Sequence, residues 1–279
     1  MIIRCWGARG SIPVSGKQYL RYGGNTTCLE IRNKNNDIII VDAGSGIREL
    51  GNFLLAENQY TYNLLLTHAH WDHIMGFPFF KPIYAHRTSI SVWGCSVAQA
   101  SLKDMITGIM TPPNFPVDFT AINAGLSYQN TCVDSFQVGS MTITPVALSH
   151  PNQGNGYKFE EDGKCFVFLT DNELGVRHQG GLEYQDYVNF VQGADLLIHD
   201  AEYTEKEYEK TRGWGHSFYQ DALKLALNAG VKNLGLFHHN QERVDDEVEL
   251  IVDECQKEIA RHEKQLECFA VRQGAQLFL

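Results

Sequence analysis

Short apolar runs alternate with polar, glycine-bearing turns through the first third of the chain. MIIRCWG, TCLEIRN and DIIIVDAGSG read as strands, since apolar runs of this length bounded by turn residues suit buried strands. In IRELGNFLLAE the period lengthens to that of a helix, with Ile47, Leu50 and Leu54 on one face. YNLLLT is again a buried strand, and it runs directly into THAHWDHIMG, residues 67–76. The pattern changes over residues 81–130. There TPPNFPVDF, dense in proline and aromatics, cannot be a regular helix interior, and the stretch reads as an insertion or lid.

Beyond it, SFQVGSMTITPVALSH predicts a hairpin turning at Gly139-Ser140, with His150 at its exit. KCFVFLTDNE and ADLLIHDAEY predict apolar strands that end in acidic residues. HSFYQDALKLALNAG predicts a helix capped by Ser217 and stopped by Gly230. NLGLFHHN is a strand with histidines at its end, and DDEVELIVDECQKEIARHEKQ is a charged amphipathic helix. CFAVRQGAQLFL predicts a final strand pair. Strands thus end in Asp42, His68, His150, Asp171, Asp200 and His238. In layered α/β proteins ligands gather at strand ends, where loops converge above a rigid sheet.

Composition narrows the function. The chain has 279 residues, 43% hydrophobic and 20% charged, which is ordinary for a soluble protein with a sizeable core. A formal charge of -10 argues against a general nucleic-acid binder, which needs clustered lysine and arginine. A small anion still fits if bound metal ions supply local positive charge. The seven cysteines are scattered without a C-x-x-C pair, so reduced thiols in a cytosolic protein are expected. The start MIIRCWGARGS lacks the apolar core of a secretory signal, and no run approaches the ~18 apolar residues of a membrane span.

The chemistry centres on His68-x-His70-x-Asp72-His73. Imidazole and carboxylate suit zinc, and manganese or iron also fit such a set. His68 and His70 are two apart, so in extended chain they point the same way and can share one ion. Asp72 and His73 follow a turn and can face a second. Each ion then needs donors from distant sequence, and His150, Asp171 and His238 are the candidates, with His239 competing with His238. Asp171 is the natural bridge between two ions ~3.5–4 Å apart, which together can supply a hydroxide nucleophile and stabilise an oxyanion. His216, in GWGHS, is the candidate proton donor, oriented by Asp200. Asp42 reads as a supporting or turn residue. His86, His178 and His262 read as ordinary core or surface histidines. Gly7, Gly10, Gly44 and Gly46 are expected to serve tight turns. GARGS and GSG are only weakly like phosphate loops.

THAHWDH resembles the H-x-H-x-D-H signature of the metallo-β-lactamase superfamily. SHP, LTDNE, IHDAEY, GHS and LFHHN follow in an order similar to the ribonuclease Z branch, which includes phosphoribosyl cyclic phosphodiesterases. The resemblance spans nearly the whole chain. It implies one αββα sandwich, four layers in which two mixed β-sheets are flanked by helices, over residues 1–279. It also implies two divalent ions: His68, His70 and His150 on one, Asp72, His73 and His238 on the other, Asp171 between them. His216 and Asp200 occupy the positions of the family's acid and its support, and Asp72 counts with them as catalytic. IHDAEY carries Asp where ribonuclease Z usually has Glu, which leaves Glu202 as a rival for Asp200.

The expected activity is hydrolysis of small cyclic or nucleotide phosphodiesters in the cytoplasm. No flexible arm of the kind that grips transfer RNA is seen, no membrane association is expected, and a homodimer is compatible. Phe115, Tyr157 and Trp214 are candidates to stack on a base, with plain core packing as the alternative. The competing activities are hydrolysis of lactones, thioesters or lactams on the same scaffold, and metal-bound sensing without catalysis.

Overall fold

The computed structural model of the chain describes residues 1–95, 102–113, 115–262 and 264–279. Strand β1 (Ile2–Gly7) pairs antiparallel with β2 (Cys28–Arg32), which pairs antiparallel with β3 (Ile38–Val41). Helix α1 (Ile47–Ala56) crosses to β4 (Thr61–Leu65), parallel to β3, and the single turn α2 (Trp71–Ile74) follows. Then β5 (Ser89–Gly94), α3 (Leu102–Ile109) and β6 (Gly125–Asn130) extend the sheet in parallel. Of the 81–130 stretch, β5 and β6 are therefore part of the sheet. In the connection between them, residues 96–101 and 114 lie outside the described residues.

The second sheet starts with the expected hairpin, β7 (Phe136–Val138) and β8 (Met141–Ala147), and continues antiparallel through β9 (Asn155–Glu161) to β10 (Lys164–Leu169). Parallel crossovers follow. Helix α4 (Tyr184–Phe190) leads to β11 (Leu196–Asp200), α5 (Glu205–Thr211) and α6 (Tyr219–Ala229) to β12 (Asn233–Phe237), and α7 (Asp245–Arg261) to β13 (Glu267–Ala270). Residue 263, within the predicted last helix, lies outside the described residues. The final strand β14 (Gln276–Phe278) returns to β1. Among the described residues the sheets run β14-β1-β2-β3-β4-β5-β6 and β13-β12-β11-β10-β9-β8-β7.

Strand side chains alternate between faces, so each sheet buries two surfaces. Ile39 and Val41 meet Phe166, Phe168 and Phe237 between the sheets. Ile38 and Ile40 face outward onto Ile47, Leu50 and Leu54 of α1 and Ile106 of α3. On the far side, Val167, Leu197 and Leu234 pack with Tyr187, Leu223 and Val248 of α4, α6 and α7. The result is the expected four-layer αββα sandwich with two mixed sheets. Direction then decides where loops converge. Strands β1 and β8 each lie two antiparallel neighbours away from β3 and β10, so they run the same way as those strands. The segments that leave β1, β3, β4, β8, β10, β11 and β12 therefore include every one that carries a candidate ligand.

Three expectations need correction. β13 and β14 do not pair with one another; they join opposite sheets, because Val271–Ala275 carries the chain across the sandwich. Ser217 does not cap α6. Phe218 is the cap residue without a side-chain bond, while the Ser217 hydroxyl donates to Asn172 O (2.6 Å) and accepts from Leu174 N (3.0 Å). The cysteines are not all reduced. Cys95 and Cys132 form a disulfide with Cα atoms 5.1 Å apart, because parallel β5 and β6 end side by side. The thiol-based ground for a cytosolic compartment therefore falls, although Cys5, Cys28, Cys165, Cys255 and Cys268 are free. Gly230 does end α6 in the left-handed conformation. Among the described residues no helix is long and apolar enough to cross a membrane.

Phe166 is fully buried between the sheets and stacks on Phe159. Phe166→Ala is expected to lower unfolding free energy by about 3–5 kcal/mol, read as a shift of the urea midpoint without a change of slope.

Candidate metal centre

The loop after β4 turns sharply. His70 is extended, and Trp71 begins the single helical turn α2. His68 and His70 thus project before the turn, and Asp72 and His73 after it. Two donor groups result. In one, His68, His70, His150 and Asp171 bring their ligand atoms within 4.8 Å of one another, and in the other Asp72, His73, Asp171 and His238 do so. His70 Nδ1 lies 3.0 Å from His150 Nε2, and His238 Nε2 lies 3.0 Å from Asp72 Oδ2. Tetrahedral ligands about 2.0–2.1 Å from a zinc ion stand about 3.3 Å apart, so these spacings fit shared ions.

Asp171 faces both groups. Its Oδ2 is 3.5 Å from His68 Nε2, while Oδ1 is 3.2 Å from His73 Nε2 and 3.4 Å from His238 Nε2. The Nε2 atoms of His68 and His73 are buried without a hydrogen-bond partner. Buried polar atoms are rarely left so, and an ion between them accounts for both. Left-handed backbone at non-glycine positions gathers here, at Ser11, Asp42, Asp171 and His238. Such strain persists where surrounding structure over-determines it, often at functional sites.

The imidazoles are oriented from behind. Asp42 Oδ2 accepts from His73 Nδ1 (2.7 Å) and from the Thr67 hydroxyl (2.8 Å), which lies 3.1 Å from His68 Nδ1. Glu202 Oε2 accepts from His238 Nδ1 at 2.9 Å, and the Gly215 carbonyl accepts from His150 Nδ1 at 3.0 Å. Each bond fixes the tautomer, leaving the other ring nitrogen to the centre. Asp42 is thus a supporting residue, as expected. Ser11 N donates to Asp72 Oδ2 at 2.8 Å, a contact with no signal in the linear motif.

Electrostatics differ between the groups. Burial pushes His68 and His150 down, His150 to about 3, so both stay neutral donors. Burial would also lower His73 and His238, but Asp171 first, with Asp72 and Asp42 or Glu202, raises both well above the usual value. Burial would raise Asp171, yet His238, His73 and His68 hold it well below the carboxylate range. The centre is therefore rich in negative charge that calls for cations.

His216 sits beside both groups. Its Nδ1 is 2.9 Å from Asp200 Oδ2, 3.5 Å from Glu202 Oε2 and 3.9 Å from Asp171 Oδ2. Burial would lower it, but Glu202, Asp200 and Asp171 raise it to about 9. The rivalry of Asp200 with Glu202 resolves by distance, Asp200 serving His216 and Glu202 serving His238. His239 turns away: its Nε2 donates to Val271 O (2.7 Å), and burial pushes it down to about 3. Tyr157 is fully buried with its hydroxyl on Leu66 O, so it cannot stack on a base; core packing claims it. Phe115 is half-buried against Phe79, and Trp214 is 64% exposed. Gly10 serves no positive-φ turn; a Cβ there would lie 2.3 Å from His238 Nδ1. At Gly215 a Cβ would lie 2.1 Å from His150 Nδ1.

The chain matches the family model of the Beta-lactamase superfamily domain over residues 38–239. A ribonuclease Z of Sulfurisphaera tokodaii is 26% identical over 229 residues, covering 67% of this chain and 72% of that protein. The metallo-beta-lactamase fold protein YhfI from Bacillus subtilis aligns with a TM-score of 0.70 at 17% identity, over 99% of this chain and 98% of that one. A diphosphatase from the PhnP family aligns with a TM-score of 0.70 at 14% identity, over 100% and 97%. Both structures show the same fold.

Gly10→Ala is expected to cost about 1–3 kcal/mol in chemical denaturation of the metal-free protein, by forcing the His238 ring aside. Gly108→Ala, where a Cβ meets nothing within 4 Å, is the matched control and should not destabilise.

Proposed function

This chain belongs to the β-lactamase superfamily, and on that premise we propose a metal-dependent hydrolase of small cyclic or nucleotide phosphodiesters. The observation that carries the proposal is His216, held 2.9 Å from Asp200 at the edge of two donor groups that share Asp171. The name of the ribonuclease Z of Sulfurisphaera tokodaii supports cleavage of phosphodiester bonds, and the diphosphatase of the PhnP family shares the fold.

His68, His70 and His150 would hold one divalent ion, Asp72, His73 and His238 the other, with Asp171 on both. The nitrogen and oxygen donors suit zinc. When bound, such ions supply Lewis acidity at a phosphoryl oxygen and a water acidic enough to attack at neutral pH. The protein's own part is proton control. Asp200 accepts the Nδ1 proton of cationic His216, so the Nε2 proton is the transferable one. As the phosphorus–oxygen bond to the leaving group breaks, that oxygen takes this proton. Asp200, itself raised by burial but countered by His216, stabilises the cation before transfer. Asp42 and Glu202 keep His73 and His238 from rotating.

Small substrates are favoured over transfer RNA because the chain carries a formal charge of -10. Trp214, exposed and two residues from His216, is the aromatic surface available for a base.

Metal analysis of His238→Ala is expected to find one ion fewer per chain, and His239→Gln the full complement. Metal-loaded protein should hydrolyse bis-p-nitrophenyl phosphate. His68→Ala should abolish that activity, and His216→Ala should cut turnover of a diester with a sugar-hydroxyl leaving group by about 10²–10⁴-fold. Metal-loaded protein that opens lactones but cleaves no phosphodiester would sink the proposal.

A further inference from the structure

Glu173 lies two residues past Asp171 and is 1% exposed. Four donors converge on it. Oε1 accepts from the Tyr208 hydroxyl (2.7 Å) and Gly213 N (2.7 Å). Oε2 accepts from Gly215 N (2.8 Å) and His178 Nε2 (2.7 Å). A carboxylate only accepts, so all four partners must donate, His178 included. The amides on either side of Trp214 are thereby tied to one buried side chain.

Among the described residues those amides have no backbone partner. Gly213 and Gly215 adopt φ of 89° and 100°, outside any helix or strand, so secondary structure does not hold this loop. Yet two site residues depend on it. The Gly215 carbonyl accepts from His150 Nδ1, and His216 follows immediately. The backbone of Glu173 adds a tie, its N–H donating to Ser149 O (2.9 Å), one residue before His150. Glu173 thus stands between the chain that brings Asp171, the chain that brings His150 and the loop that brings His216.

We propose that Glu173 is the positioning residue of the centre, its carboxylate fixing the 213–215 loop so that His150 and His216 face the site together. The inference rests on the proposed phosphodiesterase only in taking His216 as the acid. His73 and His238 are backed by Asp42 and Glu202 and do not depend on Glu173. The consequence is selective: loss of Glu173 should disturb one pair of histidines and spare the other.

The test is Glu173→Gln in the full-length, zinc-loaded protein with 15N-labelled histidine. The amide keeps the shape but offers one acceptor and one donor, so two of the four donors lose their partner. NMR should show the Nδ1–H signals of His150 and His216 broadened or lost, with those of His73 and His238 in place. Turnover of a diester with a sugar-hydroxyl leaving group should fall by about 10–100-fold with KM little changed, the range for losing a supporting residue. Tyr208→Phe, which removes one donor, should leave all four signals intact. If all four signals survive in Glu173→Gln, or all four vanish together, the positioning role is overturned. Should Glu173→Gln fail to fold, Glu173→Asp retains the charge but not the reach, and the same comparison applies. If His216→Ala retains full activity on a diester with a sugar-hydroxyl leaving group while Glu173→Gln still loses only the His150 and His216 signals, the acid role fails and the positioning role stands.

Discussion

A single buried carboxylate, Asp171, meets imidazoles from both sheets. One oxygen faces His68 and the other faces His73 and His238. His68 and His73 arrive from the first sheet, Asp171 and His238 from the second, so the contact also joins the two halves of the sandwich. Without countercharge this arrangement is unfavourable, since buried carboxylates and crowded histidines cannot all keep their preferred protonation. Among the described residues, the strained backbone at Ser11, Asp42, Asp171 and His238 accompanies the same crowding.

The surrounding polar groups follow from that constraint. Asp42, Glu202 and the Gly215 carbonyl each take a proton from the far side of an imidazole, so that the near nitrogens point inward. Glycine at positions 10 and 215 leaves the rings room, because a Cβ at either would strike an imidazole. Like His73 and His238, His216 is raised by the carboxylates around it. Facing Asp200 and Glu202, it is held as a cation at neutral pH beside groups meant for metal. In the proposed reaction that cation is the proton source for the leaving group.

Sheet topology determines why these parts meet. Antiparallel steps from β1 to β3 and from β8 to β10 restore strand direction, so donors from distant sequence emerge together. The apolar alternation of Ile38 to Val41 and of Phe166 to Phe168 stiffens the strands beneath. Loops above such a platform can be irregular, and the glycine-rich 213–215 loop is held by side chains instead of a ladder.

Much of this was legible in the chain itself. Apolar runs of strand length, one ligand-dense turn and acidic or histidine strand ends suffice to put the candidate donors at strand ends, because periodicity and local ligand spacing are properties of neighbouring residues; the four-layer sandwich comes from the resemblance to the metallo-β-lactamase superfamily. Other features depend on residues far apart in sequence. The Cys95–Cys132 bond, the separation of β13 from β14, the burial of Tyr157 and the role of Ser217 all arise from which strands and loops become neighbours. So do the division of labour between Asp200 and Glu202 and the turning away of His239 toward Val271. Sequence alone determined which residues are candidates to bind metal and to donate a proton. Only the tertiary structure decided which carboxylate backs which imidazole, since that depends on distances of a few ångströms between chain segments that folding alone brings together.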